Sequence, residues 1–220
     1  MSRLLDTINE YKEAFKKKAP LEIQEKMLAA TSKLKEESIS KNALKVGDFA
    51  SEIKLQNEKG KEFSLFDSLD NNNDYILVNF YRGGWCPYCN FELKALESRV
   101  EEFKSLGAKL IAISPQSPDS SLSTKEKNEL TFEVLSDINN IVAKKFGLVF
   151  SLDEELKPIY LSFGIDIPAS NDESSYEIPM PATYLINKNK EILFSFIDED
   201  YTKRCEPQEI INILKSLQSH

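Results

Sequence analysis

Apolar positions recur at helical spacing through the first forty residues and then give way to shorter, denser runs. Leu4, Leu5, Ile8, Tyr11 and Phe15 fall on one face of a 3.6-residue repeat, and Pro20 breaks it. A second helix follows, with Leu21, Ile23, Met27, Leu28 and Leu34 as its apolar members. Neither helix carries chemistry of its own. Packing against the rest of the chain is therefore preferred over a dedicated partner-binding role.

Beyond residue 42 the pattern alternates. "LKVGDFASEIKLQNEKGKEFSLFDSL" reads as short strands around an Asn-Glu-Lys-Gly turn, with a helical turn near Phe66–Leu69. A polar loop, "DNNND", leads into "YILVNFY" (Tyr75–Tyr81), an almost unbroken apolar run of the kind a strand buried on both faces requires. Phe91, Leu93, Leu96, Val100 and Phe103 then mark one helix running to Gly107. "AKLIAIS" is the next buried strand and "PQSPDSS" a loop; "STKEKNEL" reads as helix, "TFEVLSD" as strand and "NNIVAKKFG" as helix. "DEELKPIYLSFGIDIPASNDESSYEI" is an insertion, part helix and part loop. "ATYLINKNKEILFSFID" is a hairpin, and "EPQEIINILKSLQ" an amphipathic helix with Pro207 in its first turn.

This order predicts an α/β fold, a mixed sheet with helices on both faces, as in a thioredoxin-like domain. The expected organisation is an N-terminal helical extension over residues 1–42 and a thioredoxin-like domain over 43–220. No internal repeat or low-complexity segment interrupts it.

Composition narrows the partners. The 220 residues are 41% hydrophobic and carry a net charge of −8, with no long basic stripe, which argues against nucleic acid. Lys16–Lys18 reads as a solvated helix end. No run approaches the roughly 20 apolar residues that span a bilayer, so no membrane is expected. "MSRLLDTINEYKEAF" lacks the apolar core of a signal peptide, so the cytoplasm is the expected compartment. There a CxxC points to metal binding or redox chemistry, not to a structural disulfide. The single histidine is the last residue, His220. That excludes hydrolases with an internal histidine base. It also disfavours zinc, because Cys86 and Cys89 would need Cys205 and His220 to complete a set. No metal and no cofactor are expected.

The candidate chemistry sits in "VNFYRGGWCPYCNFELKALESRV". Cys86 falls at the predicted N-cap of a helix, with Pro87 at its first position, where a missing N–H costs nothing. Free backbone N–H groups, the helix dipole and Arg82 just upstream all favour a Cys86 thiolate. Cys89, one turn on, is close enough for a disulfide and should be less ionised. Cys86 attacks and Cys89 resolves in this reading. Gly83 and Gly84 allow a sharp bend, and Trp85 packs beside the thiols. Pro181, immediately before a strand, is equally compatible with a cis peptide facing the active loop and with an ordinary trans strand entry. Cys205 lies in the loop before the last helix and reads as an idle or buried thiol.

These residues resemble the alkyl hydroperoxide reductase C/thiol-specific antioxidant family, in its peroxiredoxin-like branch carrying "FYRGGWCPYCN". The resemblance runs from about Leu44 to Leu217 and includes "LIAISPQSPDSSLSTKEKN", "YLSFGIDIPA", "MPATYLI" and "DYTKRCEP". It implies a thioredoxin fold and peroxide reduction at Cys86. Cys89 would condense with the Cys86 sulfenic acid, and thioredoxin or a glutathione-type reductant would restore both thiols. A homodimer is possible within that family.

The sequence also departs from the family motif. Gly83 stands where a threonine would hold the peroxide, Asn79 where a proline would precede it, and Pro181 where an arginine would stand. The CPYC tetrad resembles thioredoxins and glutaredoxins. A thiol–disulfide oxidoreductase acting on a disulfide substrate is therefore the alternative, and a redox sensor without turnover a third reading.

Overall fold

A computed structural model describes residues 3–69 and 73–218. His220, part of the "DNNND" loop and the first two residues lie outside them.

Helices α1 (Leu4–Lys18) and α2 (Leu21–Glu37) meet at Pro20, as the pattern predicts. Strands β1 (Lys54–Asn57) and β2 (Glu62–Ser64) flank the expected turn. Next come β3 (Tyr75–Phe80), helices α3 (Pro87–Glu97) and α4 (Val100–Ser105), and β4 (Ala108–Ser114). Helix α5 (Pro118–Lys127), β5 (Glu133–Ser136) and α6 (Ile141–Lys145) follow. After β6 (Val149–Ser151), α7 (Leu156–Ser162), α8 (Ile167–Asn171) and β7 (Glu177–Pro179), the chain ends in β8 (Ala182–Asn187), β9 (Ile192–Ile197) and α9 (Pro207–Leu217).

Seven strands form one sheet in the order β2-β1-β5-β4-β3-β8-β9. Strands β3, β4 and β5 run parallel, β8 is antiparallel to β3, and β9 is antiparallel to β8. The mixed α/β sheet expected from the sequence is the one observed. Strand β3 lies inside the sheet between β4 and β8, and the period-2 alternation divides its side chains between two cores. Ile76, Val78 and Phe80 enter one core; Leu77 and Tyr81 enter the other, with Cys86, Cys89, Leu93 and Leu96 from the start and body of α3. The apolar run is continuous because both faces are covered.

Three local readings change. The expected single helix from Phe91 to Phe103 is interrupted at Ser98 and Arg99, giving α3 and α4. The Ser98 hydroxyl donates to the Ala95 carbonyl at 2.7 Å, and Arg99 leaves the helical region at φ −122°, ψ 8°. Local side-chain hydrogen bonding competes there with the helical ladder. Helix α5 begins at Pro118, inside the segment read as loop, because Ser117 caps it by accepting from the Ser120 N–H. The insertion holds α7 and α8 as expected, but its flanks pair as an antiparallel ribbon, Val149↔Pro179 to Ser151↔Glu177. These strands are too short for a period to register in the sequence.

The N-terminal helices lie against the face of the sheet that carries α3. Tyr11 of α1 packs edge-on to Tyr88 and Phe91 of α3, each with ring centroids 5.4 Å apart. Phe15 meets Phe163 at 6.3 Å, and Lys33 of α2 pairs with Asp153 at 3.1 Å. No helix among the described residues is long and apolar enough to cross a membrane.

Candidate active site

Cys86 is the N-cap of α3 and Pro87 its first residue, as the spacing predicts. The chain reaches this point through Gly83, whose φ of +154° disfavours a side chain, and whose Cβ would run into the Trp85 indole. Gly84 serves a different purpose: a Cβ there would collide with the Thr124 hydroxyl of α5. The Gly84 peptide is clamped from both sides. Its N–H donates to Gln116 Oε1 at 2.7 Å, and its carbonyl accepts from Asn90 Nδ2 at 2.8 Å. Asn128 in turn donates to Asn90 Oδ1 at 2.9 Å. The Arg82–Cys86 loop is thus held in a single shape by side chains from α3, the C-terminal end of α5 and the loop after β4.

Both thiols are free and buried, Cys86 at 1% exposure and Cys89 at 0%. Burial alone would push the Cys86 thiol up. The hydrogen bond from the Cys89 thiol, the Arg82 and Arg204 charges and the Cys89 backbone N–H outweigh it and bring Cys86 down to about 6. Cys89 moves the other way, raised first by burial and then by the neighbouring Cys86. The two sulfurs are therefore unequal: one ionises near neutrality while the other keeps its proton.

Arg82 is 2% exposed and sits in an aromatic cage. Its guanidinium carbon lies 4.3 Å from the Tyr201 ring centroid and 5.0 Å from that of Trp85, and one terminal nitrogen donates to the Tyr160 hydroxyl at 2.5 Å. Burial works against its charge, but Tyr160, Cys86 and Tyr201 more than offset this, so the arginine stays charged. Tyr160 comes from the insertion and Tyr201 from the loop after β9; neither stands out in the sequence.

Arg204 is the second buried cation. Its Nε lies 2.7 Å from Glu92 Oε2, an ion pair without hydrogen-bond alignment, and a terminal nitrogen donates to Cys89 Sγ at 3.4 Å. It also donates to the carbonyls of Tyr201 and Lys203. Glu92 follows Cys89 by three residues on α3 and so lies on the same helical face. Burial raises its carboxyl to about 7 against the pull of Arg204. Only the i, i+3 spacing from Cys89 could have pointed to Glu92, and a charged residue on a helix ordinarily faces solvent.

Trp85 packs beside the thiols as expected, edge-on to Tyr160 at 5.8 Å. The Met180–Pro181 peptide is trans, which removes the cis alternative. Pro181 is buried between β7 and β8, one residue beyond the Phe80↔Ala182 pair, and does not line the cleft above Cys86. Cys205 is buried, its thiol pushed up by burial and by Glu209, and it donates weakly to the Glu206 carbonyl. Among the described residues no group of three or more His, Cys, Asp or Glu side chains is placed to hold a metal ion.

The strand–loop–helix junction thus places a thiol of lowered pKa and a second thiol one turn away beyond the C-terminal end of β3 in a thioredoxin-like sheet. Solved structures share the fold. Peroxidoxin BcpB of Mycobacterium tuberculosis superposes with a TM-score of 0.62 at 18% identity, covering 79% of this chain and 98% of that one. A variant of Xylella fastidiosa PrxQ gives 0.59 at 18% identity, covering 80% and 97%.

The AhpC/TSA family model matches residues 46–195, and the chain belongs to that family. A Bcp-type protein of Buchnera aphidicola is 37% identical over 105 residues, 48% of this chain and 65% of that protein. Peroxiredoxin Bcp of Escherichia coli is 31% identical over 107 residues, 49% of this chain and 67% of its own length. Chloroplastic peroxiredoxin Q of Gentiana triflora is 26% identical over 174 residues, 79% of this chain and 66% of that protein. The chain thus spans about two thirds of the length of these relatives.

Proposed function

We propose that the protein is a thiol peroxidase of the peroxiredoxin type, with Cys86 as the attacking thiol and Cys89 as its resolving partner. The observation that carries this reading is the convergence of two buried guanidinium groups on an N-cap thiol held at about 6. The Cys86 thiolate attacks one peroxide oxygen and the O–O bond breaks. The leaving oxygen departs with the electron pair and takes a proton, giving water or an alcohol and a Cys86 sulfenic acid. Cys89 then displaces hydroxide, which leaves as water, and the Cys86–Cys89 disulfide forms. A thiol reductant restores both residues by exchange.

The relatives named peroxiredoxins support this chemistry. Gly83 supplies no hydroxyl where the family motif has threonine. In this reading Arg82 takes over the stabilisation of developing negative charge, fixed in place by Tyr160 and Tyr201. Gly83, Gly84, Trp85 and Pro87 shape the loop, while Pro181 acts only through the sheet. Residues 1–42 form an extension that walls the site, and residues 43–220 form the catalytic unit.

The alternative, a thiol–disulfide oxidoreductase, is favoured by one observation: a thiol near 6 beside a partner that keeps its proton is also the arrangement that starts disulfide exchange. Stopped-flow mixing of the reduced protein with hydrogen peroxide separates the two. Trp85 is the only tryptophan and adjoins Cys86, so its emission reports the reaction. A fast change that is lost in Cys86→Ser supports the peroxidase. A rate equal to that of free cysteine removes it and leaves disulfide exchange.

A further inference from the structure

A cleft of about 900 Å³ opens above Cys86. Cys86 lines it and Cys89 does not, so a molecule entering the cleft meets only the first sulfur. Its walls come from α1 and α2 on one side, and from the redox loop, α7 and residues 200–202 on the other.

This wall is anchored at several points. Tyr11 wedges against Tyr88 and Phe91, Phe15 meets Phe163, Lys35 reaches Asp200 at 3.6 Å, and the Leu5 N–H donates to Glu206 at 2.8 Å. A folded protein carrying its own redox loop would have to lift these helices to bring a sulfur within bonding distance of Cys86. A molecule of a few hundred daltons fits the cleft as it stands, since clefts of roughly 300–1,000 Å³ are the size that takes small ligands.

The charge of the cleft opposes that of the chain. The protein carries −8 overall, yet the lining holds Lys12, Lys16, Lys18, Lys35 and Lys127 against one carboxylate, Asp200. Lys16 is engaged by Glu13 at 2.9 Å and Lys35 by Asp200. Lys18 and Lys127 have no carboxylate within ion-pair distance among the described residues. A concave wall of one sign concentrates the opposite charge. Between the lysines, Phe15, Met27, Phe163 and Ile165 offer apolar surface for a ligand's stem.

We propose that this cleft binds a small, carboxylate-bearing thiol, and that this class of thiol, not a protein dithiol, reduces the Cys86–Cys89 disulfide. The proposal rests on the reading that these two residues cycle through a disulfide. The incoming thiolate attacks Cys86 Sγ, and the Cys86–Cys89 bond breaks. The electron pair leaves on Cys89 Sγ, beside Arg204, and a proton follows. A second thiolate attacks the outer sulfur of the mixed disulfide and releases the Cys86 thiolate. Two thiols are oxidised to one disulfide, and the protein gains two electrons.

The test begins from protein oxidised with diamide, so that it does not depend on peroxide. Oxidised protein is mixed with glutathione, which carries two carboxylates, with cationic cysteamine, or with thioredoxin, and Trp85 emission is followed. Rates are compared per thiolate. Glutathione is expected to exceed cysteamine by about tenfold or more. This advantage should fall several-fold in Lys18→Gln/Lys127→Gln and in high salt, and stay unchanged in Lys54→Gln/Lys59→Gln on β1 and the turn after it. Reduced Cys89→Ser mixed with glutathione disulfide should hold a glutathione adduct on Cys86, the second glutathione leaving as its thiol.

Equal rates per thiolate, a faster reaction with thioredoxin than with glutathione, or failure of diamide to join the two cysteines would each overturn the proposal. A protein that is slow with peroxide yet reduced in this way would remove the peroxidase reading alone.

Discussion

The Arg204 guanidinium stands 2.7 Å from the Glu92 carboxylate and donates to the Cys89 sulfur at 3.4 Å, with the two charged side chains 1% and 2% exposed. One cation therefore serves two groups on the same face of α3. A buried pair of this kind contributes little net stability, but removing one partner leaves a charge stranded.

Glu92 already sits at about 7 and can take a proton once its partner is gone, so the cost of Arg204→Met, measured by chemical denaturation, should be small at pH 6 and grow toward about 3–5 kcal/mol at pH 9. Adding Glu92→Gln should recover a large part of the loss at pH 9. Equal stability of the single and double variants at that pH would show that the pair is not coupled.

The pH dependence of Cys86 follows from its depressed value. The thiolate is the reactive form, so alkylation by iodoacetamide should rise through an inflection near pH 6 and level off above pH 7. Arg82→Gln removes a positive charge that favours the thiolate, so the inflection should move up by about one unit or more. An unmoved inflection would place the stabilisation elsewhere. The profile is read on Cys89→Ser/Cys205→Ser and its Arg82→Gln derivative, so that one thiol reports.

Gly83→Ala puts a methyl group against the Trp85 indole at a φ of +154°. Backbone strain of this type costs about 1–3 kcal/mol. The expected outcome is a destabilised protein whose Trp85 emission shifts to the red as the indole is displaced. Wild-type stability with unchanged emission would contradict the contact.

Gln116→Ala leaves the Gly84 N–H without its 2.7 Å acceptor. Loss of one partner from a largely buried hydrogen bond costs about 1–3 kcal/mol. Thermal denaturation should show this loss, and Gly84 should exchange its amide hydrogen faster than in the parent protein. Gln116→Glu retains an acceptor oxygen and should restore protection at Gly84.

Much of the fold could be read directly because its signals are local. Pro20 between two helices, the apolar β3, the turn at Asn187–Lys190 and Pro207 at the start of α9 each act through the backbone of a few neighbours. Ser98 shows the limit of such reading: the apolar spacing of Phe91 to Phe103 outweighed a hydroxyl that interrupts the helix. The β6–β7 ribbon was illegible for another reason, since its two strands lie in separate stretches of three residues each.

The site divides along the same line. Cys86 at the N-cap, Pro87 at the first helical position, Cys89 one turn on and the Gly83 bend follow from the chain between Arg82 and Asn90 alone. Dihedral preferences and helix-end hydrogen bonding operate within that span. What only the tertiary structure decided is the company these residues keep. Arg82 meets Tyr160 across 78 positions of sequence and Cys89 meets Arg204 across 115. Gly84 meets Gln116 across 32. The lysine-rimmed wall over Cys86 exists only because α1 and α2 fold back onto the redox face. Charge, burial and access act through space, so the place of the Cys86 thiol at a helix start was determined by local sequence, and its ionisation and its route to solvent by packing.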